Sequence, residues 1–178
     1  ALKDGLTIMA QELALLPRRS VLDNVFLGSE TSHAGVLDER EARRRFDELS
    51  ERVGFDLPAR ARVGSLRVAD QQKVEILRAL ARESNLIVMD EPTAALTADA
   101  ADKLFDVVRT LQAADTTIVY VSHFLEEVLA LADTVTALKD GKLVRTSPTS
   151  AETSESLVTA MLGRSLDVTF PDRRFPPA

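Results

Sequence analysis

Cysteine is absent from the 178 residues, which excludes disulfides and thiolate metal sites. Tryptophan is absent too, and aromatic residues make up only 4% of the chain, so an interior must be built from Leu, Val, Ala and Ile. Two histidines, His33 and His123, are too few for a histidine metal cage. No apolar run approaches the ~20 residues that span a bilayer. The opening stretch ALKDGLTIMAQ lacks the basic head, long apolar run and small-residue cleavage site of a signal peptide. Basic residues are outnumbered, 22 against 28 acidic ones, and the net charge of −6 argues against a general nucleic-acid binder, which needs a basic face. The chain opens without Met, almost directly on a strand-like segment, as expected of a fragment or a processed chain.

What is present has a globular balance: 45% hydrophobic and 28% charged residues, enough for one domain or parts of two. LTIMA (6–10) is a short β-favouring run. Helices are predicted over 20–28, with Ser20 at the start and Gly28 as the stop, over 37–54, with Gly54 as the stop, and over 68–84. SETSHAG, after Gly28, reads as a polar loop, and FDLPARARVGSL (55–66) as a connector. LIVMD (86–90) and TTIVYVSH (116–123) are continuous apolar runs, the pattern of strands covered on both faces. Between them a helix is predicted over 97–115, starting at Thr97. After a helix at FLEEVLALAD, residues 134–146 alternate around Asp140-Gly141, a strong hairpin signal. LVTAMLG ends a short helix, and VTFPDRRFPPA reads as an unstructured tail. The fold class is therefore α/β, with an all-helical insertion over roughly 20–82 and no internal repeat.

In open parallel sheets ligands bind beyond the carboxyl ends of the strands. Three predicted strands end on polar residues suited to a magnesium–triphosphate: Gln11, the adjacent pair Asp90-Glu91, and His123. In that reading Asp90 holds Mg²⁺ through water, Glu91 orients or deprotonates an attacking water, Gln11 contacts the metal or that water, and His123 bonds the terminal phosphate. Each residue alone also has a plain structural reading, as a loop glutamine, a turn before Pro92, and a structural histidine.

Taken together, the segments resemble a known family. LIVMDEPTAAL followed by TTIVYVSHFLEEV looks like the Walker B segment, D-loop and switch histidine of ABC-transporter ATPases. IMAQELALLPRRSVLDNVFLG resembles the Q-loop and the start of the helical subdomain, and SLRVADQQKVEILRALARES resembles the signature motif and its helix. ADTVTALKDGKLV resembles the late hairpin. QELAL, EPTAALT and SHFLEEV are similar to monosaccharide importers of the ribose and galactose type, in which two ATPase domains share a polypeptide, and the tail resembles the end of the first of them.

The resemblance implies a partial P-loop NTPase sheet with an inserted helical subdomain. Residues 1–19 would form the Q-loop end of the core, 20–82 the helical subdomain, 83–147 the core with Walker B, D-loop and switch histidine, and 148–178 a terminal helix and linker. It implies ATP and Mg²⁺ as ligands. Gln11 would sense the γ-phosphate and contact the metal, Asp90 would be the metal residue, Glu91 the catalytic base, and His123 the switch histidine. Ala94, Ala95 and Leu96 would face the opposite domain. Leu66, Arg67, Val68, Ala69 and Asp70 would reach the ATP held by that domain. The implied partners are membrane subunits, docked through the helical subdomain, a second ATPase domain, and indirectly a sugar-binding protein, with no nucleic acid. The implied location is cytoplasmic, peripheral at the inner face of the membrane.

Two features depart from the family pattern. Arg67 stands where the signature has serine, and Val68 and Ala69 where it has small residues, usually glycine. This either weakens an anion site built from helix N–H groups and a hydroxyl, or lets a guanidinium bind phosphate by itself. Further, no Gly-x-x-x-x-Gly-Lys-[Ser/Thr] spacing occurs in the chain. The expectation is an incomplete ATPase, inactive alone, with LIVMD or TIVYV beside an open sheet edge that invites dimerisation or strand swapping. The competing readings are a soluble ABC ATPase outside transport and a purely structural module. The run EREARRR (39–45) reads as a solvated helix face rather than a nucleic-acid patch.

Overall fold

The computed structural model describes residues 5–10, 14–29, 32–33 and 36–162. Gln11 and the tail VTFPDRRFPPA lie outside the described residues. The chain divides into two compact units, residues 1–121 and 122–178.

The first unit is built on a parallel sheet of β1 (Leu6–Met9), β4 (Leu86–Asp90) and β5 (Thr117–Val121), in the order β1-β4-β5. The pairings Ile8↔Val88↔Val119 and Met9↔Met89↔Tyr120 set the two faces. Thr7, Met9, Ile87 and Met89 lie on one face and are buried. That face is covered by helices α3 (Val68–Leu80) and α4 (Ala98–Ala113), which pack on β1 and β5. The other face carries Ile8, 58% exposed, Val119, 46%, and Val121, 45%, together with Asp90. The expectation that TIVYV is covered on both faces is not met. β5 is an edge strand, and its Thr117–Val119–Val121 side is left exposed within this unit.

The helical layer follows from local signals. Ser20 caps α1 (Val21–Val25) by accepting from the Asp23 N–H, while Asp23 accepts from the Ser20 N–H, a reciprocal capping box. The segment read as a polar loop contains a short antiparallel pair, β2 (Ser32–His33) with β3 (Val36–Leu37). Leu37 therefore belongs to a strand rather than a helix. Helix α2 (Glu39–Val53) starts two residues later than expected, because Asp38 accepts the Glu41 N–H at 2.9 Å and caps it. It ends at Gly54, whose φ of 63° lies in the left-handed region that glycine adopts without Cβ cost. On its outer face Arg43 pairs with Asp47, and Arg44 with Glu41 and Glu48. The run 39–45 thus satisfies much of its own charge at helical spacing. Phe46, Val53, Val74, Ile76, Leu77 and Leu104 are almost fully buried and form the core of this unit.

The second unit contains α5 (Leu125–Leu131), the hairpin β6 (Thr134–Lys139) and β7 (Lys142–Pro148), and α6 (Ser154–Leu162). Asp140 and Gly141 both have positive φ, 50° and 72°, as a type I′ turn requires. α6 packs on β6, burying Leu157 and Ala160 together with Val135 and Ala137. Residues 157–162, where the sequence places the end of a short helix, form its last part.

Candidate functional site

β4 is the central strand of its sheet and ends on Asp90, which pairs with Val121 of β5. The ladder runs one residue further, because the Glu91 N–H donates to the Val121 carbonyl at 2.9 Å. At that residue the chain turns out of the sheet: Glu91 has a φ of 50°. A left-handed conformation in a non-glycine residue costs on the order of 1 kcal/mol or more and persists where the surroundings over-determine it. Here they do. The Ala94 N–H bonds back to the Glu91 carbonyl at 3.2 Å, Pro92 and Thr93 are buried, and Gln72 Nε2 of α3 donates to the Pro92 carbonyl at 3.2 Å. The result is a fixed turn presenting two adjacent, half-buried carboxylates at the carboxyl edge of a parallel sheet. Ala94, Ala95 and Leu96 continue that turn, and Leu96 N–H bonds to Thr93 O at 2.9 Å before Thr97 starts α4.

Leu66 to Asp70 stand at the amino end of α3. Arg67 is the residue before the first turn, extended and exposed, with no side-chain cap bond. Val68 is 63% exposed. Asp70 is engaged by Lys73 at 2.9 Å, and Gln71 Nε2 bonds the Leu66 carbonyl at 3.0 Å. A bulky residue and a carboxylate therefore occupy the turn where an anion would meet free N–H groups.

His123 belongs to the second unit. It is exposed, with its ring 4.1 Å from that of Phe124. Ser122 Oγ accepts from the Phe124 N–H and donates to Glu127, which fixes the entry to α5. A cleft of about 500 Å³ in this unit is lined by His123, Phe124, Glu126, Glu127 and Ser154.

Among the described residues no group of three His, Asp or Glu side chains could cage a metal. Magnesium needs no such cage, because it keeps several waters and takes one or two carboxylates plus phosphate oxygens. Asp90 at the strand end fits that demand.

Three residues at this site were not singled out from the sequence. Gln72, 7% exposed, joins α3 to the turn after Glu91. Its signal was a polar residue four places before Ile76, in the apolar stripe of a helix. Fully buried Asn24 grips the segment after Gln11: its Oδ1 accepts the Leu16 N–H at 2.7 Å, and its Nδ2 donates to Leu16 O at 3.1 Å and Ser20 O at 2.8 Å. Arg78 of α3 donates to the Ala14 carbonyl at 2.7 Å, with Glu75 beside it at 3.4 Å.

This arrangement defines a class, the α/β nucleotide cassette. A solved dimeric structure of a bacterial ABC transporter cassette superposes with a TM-score of 0.74 at 26% identity, over 83% of this chain and 64% of that one. The same cassette in a post-hydrolysis state bound to ADP and Pi matches equally well. The chain belongs to the ABC transporter family, whose model matches residues 1–94. It is 39% identical over 181 aligned positions to the galactose/methyl galactoside import ATP-binding protein MglA of Escherichia coli, covering 99% of this chain. It is 38% identical over 170 positions to the ribose import ATP-binding protein RbsA of Oceanobacillus iheyensis, covering 95%. The chain spans about a third of the length of these relatives, 35% and 34%.

Proposed function

We propose that the chain is the water-activating and sensing part of an ATP-hydrolysing subunit that drives a bacterial sugar importer. The observation that carries this reading is the pair Asp90-Glu91 on a fixed left-handed turn at the carboxyl end of the central strand. The import proteins named above support the sugar class. In this reading Asp90 holds Mg²⁺ with Gln11, and the ion supplies charge neutralisation for the phosphates when bound. Glu91 takes a proton from the attacking water, and its fixed backbone keeps the carboxylate aimed without reorganisation. His123 donates to the terminal phosphate. Leu66 to Asp70 face nucleotide held by a second ATPase domain, with Arg67 replacing hydroxyl chemistry by a guanidinium. The helical subdomain, 20–82, docks on membrane subunits, which places the protein at the inner face of the cell membrane; a sugar-binding protein acts on the far side.

The 178 residues contain no phosphate-gripping Gly-x-x-x-x-Gly-Lys-[Ser/Thr] loop. Calorimetric titration of MgATP tests the reading. The native polypeptide that carries this chain is expected to bind saturably, and the 178 residues alone to show no saturation at millimolar nucleotide. A native polypeptide that ignores MgATP contradicts the proposal.

A further inference from the structure

The turn that carries Glu91 is held from two separate elements. Its amino side is fixed by β5, through the bond from the Glu91 N–H to the Val121 carbonyl at 2.9 Å. On its carboxyl side three successive carbonyls are occupied. Those of Glu91 and Thr93 accept from amides of the same turn, Ala94 and Leu96. The middle one, Pro92, accepts instead from Gln72 Nε2 of α3 at 3.2 Å. The pyrrolidine ring already fixes φ of Pro92. A bond that fixes the plane of its carbonyl therefore sets the backbone angle that remains. The donor is itself held in place. Gln72 is 7% exposed, and Val74, Ile76 and Leu77, which follow it on α3, are fully buried. A polar side chain so buried is costly unless it is bonded, and Pro92 supplies that partner.

We propose that Gln72 is a positioning residue for water activation: by gripping Pro92 it sets the aim of the Glu91 carboxylate. The inference rests on the role given above to Glu91 as the base. Glu91 sits at a φ of 50°, a conformation that persists only where neighbouring structure over-determines it. β5 secures one end of that residue, and Gln72 secures the peptide plane beyond Pro92. Freeing the second hold lets the carboxylate drift. A displacement of about 1 Å at a reacting group can cost roughly a hundredfold in rate. The residue type fits the place. A lysine or arginine would bring positive charge to a turn that presents two carboxylates, and would compete with Mg²⁺ for them. The glutamine amide donates without charge. In this role Gln72 meets neither water nor nucleotide and acts through the backbone alone.

The test uses the native polypeptide and three readouts: MgATP turnover, MgATP affinity by calorimetry, and amide exchange without nucleotide. Gln72→Met keeps the length of the side chain and loses the donor. It is expected to lower kcat roughly 10–100-fold while affinity stays within about twofold. Exchange at Ala94 should quicken, with the β4 amides unchanged. Gln72→Glu can donate to the Pro92 carbonyl only when protonated, a form that burial favours. Its turnover relative to wild type should therefore rise as pH is lowered from about 8 to about 6. Titrations of Asp70, Glu75, Asp90 and Glu91 are common to both proteins and cancel in that ratio. A merely structural link would lower stability without this recovery. Turnover of Gln72→Met within a few-fold of wild type, a loss of affinity in place of kcat, or a Gln72→Glu ratio flat with pH would overturn the inference and leave Glu91 as the base. If Gln72→Met does not fold by circular dichroism, the pH profile of Gln72→Glu decides. A wild-type polypeptide that does not turn over MgATP would remove the ATPase reading, and this role with it.

Discussion

Replacing Asn24 by Ala removes three hydrogen bonds at once, two of them to both backbone groups of Leu16 and one to Ser20 O. The Asn24 side chain itself is completely buried. At about 1 kcal/mol net per bond the loss is on the order of 3 kcal/mol. In a chain of this size each kcal/mol lowers the melting temperature by about 2–4 °C, so a fall of roughly 6–12 °C is expected. Urea and thermal unfolding followed by circular dichroism would read it. Asn24→Asp is a sharper control: it keeps an acceptor for Leu16 N–H but loses both donations and buries a charge, so it should be at least as damaging. A loss below about 1 kcal/mol for Asn24→Ala would show that the segment after Gln11 is held by other contacts, and the clamp described above would be wrong.

Two further outcomes follow from local geometry. A Cβ at Gly64 would meet the Pro17 Cβ and carbonyl oxygen, both at 3.0 Å, so Gly64→Ala should destabilise by about 1–3 kcal/mol and loosen the bonds from Val63 N–H to Arg19 O and from Gly64 N–H to Pro17 O, read by amide exchange at Val63 and Gly64. Hydrogen bonds from Ser147 and Ser156, reinforced by Arg145, hold Glu152 below its ordinary value of 4.5. A depressed carboxylate stabilises the fold above its unfolded pKa and loses that contribution as pH falls through the folded value. Acid unfolding of the hairpin–α6 unit should therefore begin below about pH 4.5 and become less pH-dependent in Glu152→Gln; an unchanged acid profile would contradict the network.

Much of the scaffold was legible because strong local signals agree with the tertiary structure. Ser20 and Gly54 bound helices, Asp140-Gly141 turns a hairpin, and LIVMD is a central strand. Asp90-Glu91 could be picked out because carboxylates at the end of an apolar run have few structural uses. What could not be read depends on pairings between distant segments. TIVYV is as apolar as LIVMD, yet it lies at the sheet edge, and strand order is not written in either run. Leu37 has helical spacing, but Val36 and Leu37 pair with Ser32 and His33, and the Asp38 cap moves the helix start. The charge run 39–45 drew notice from its sequence alone, although its arginines are largely paired within the helix. The pairing of two loops some forty residues apart, through Ser20 and Arg62, has no signal in either segment.

The measurement that bears most directly on the central claim is MgATP turnover by the native polypeptide carrying Glu91→Gln. The amide keeps the size of the side chain and much of its hydrogen bonding but cannot take the proton. If Glu91 is the general base, kcat falls about 10²–10⁴-fold while MgATP affinity, measured separately by calorimetry, is retained. Turnover within a few-fold of wild type would mean that the pair at the end of the central strand does not activate water, and the proposed function would have to be abandoned.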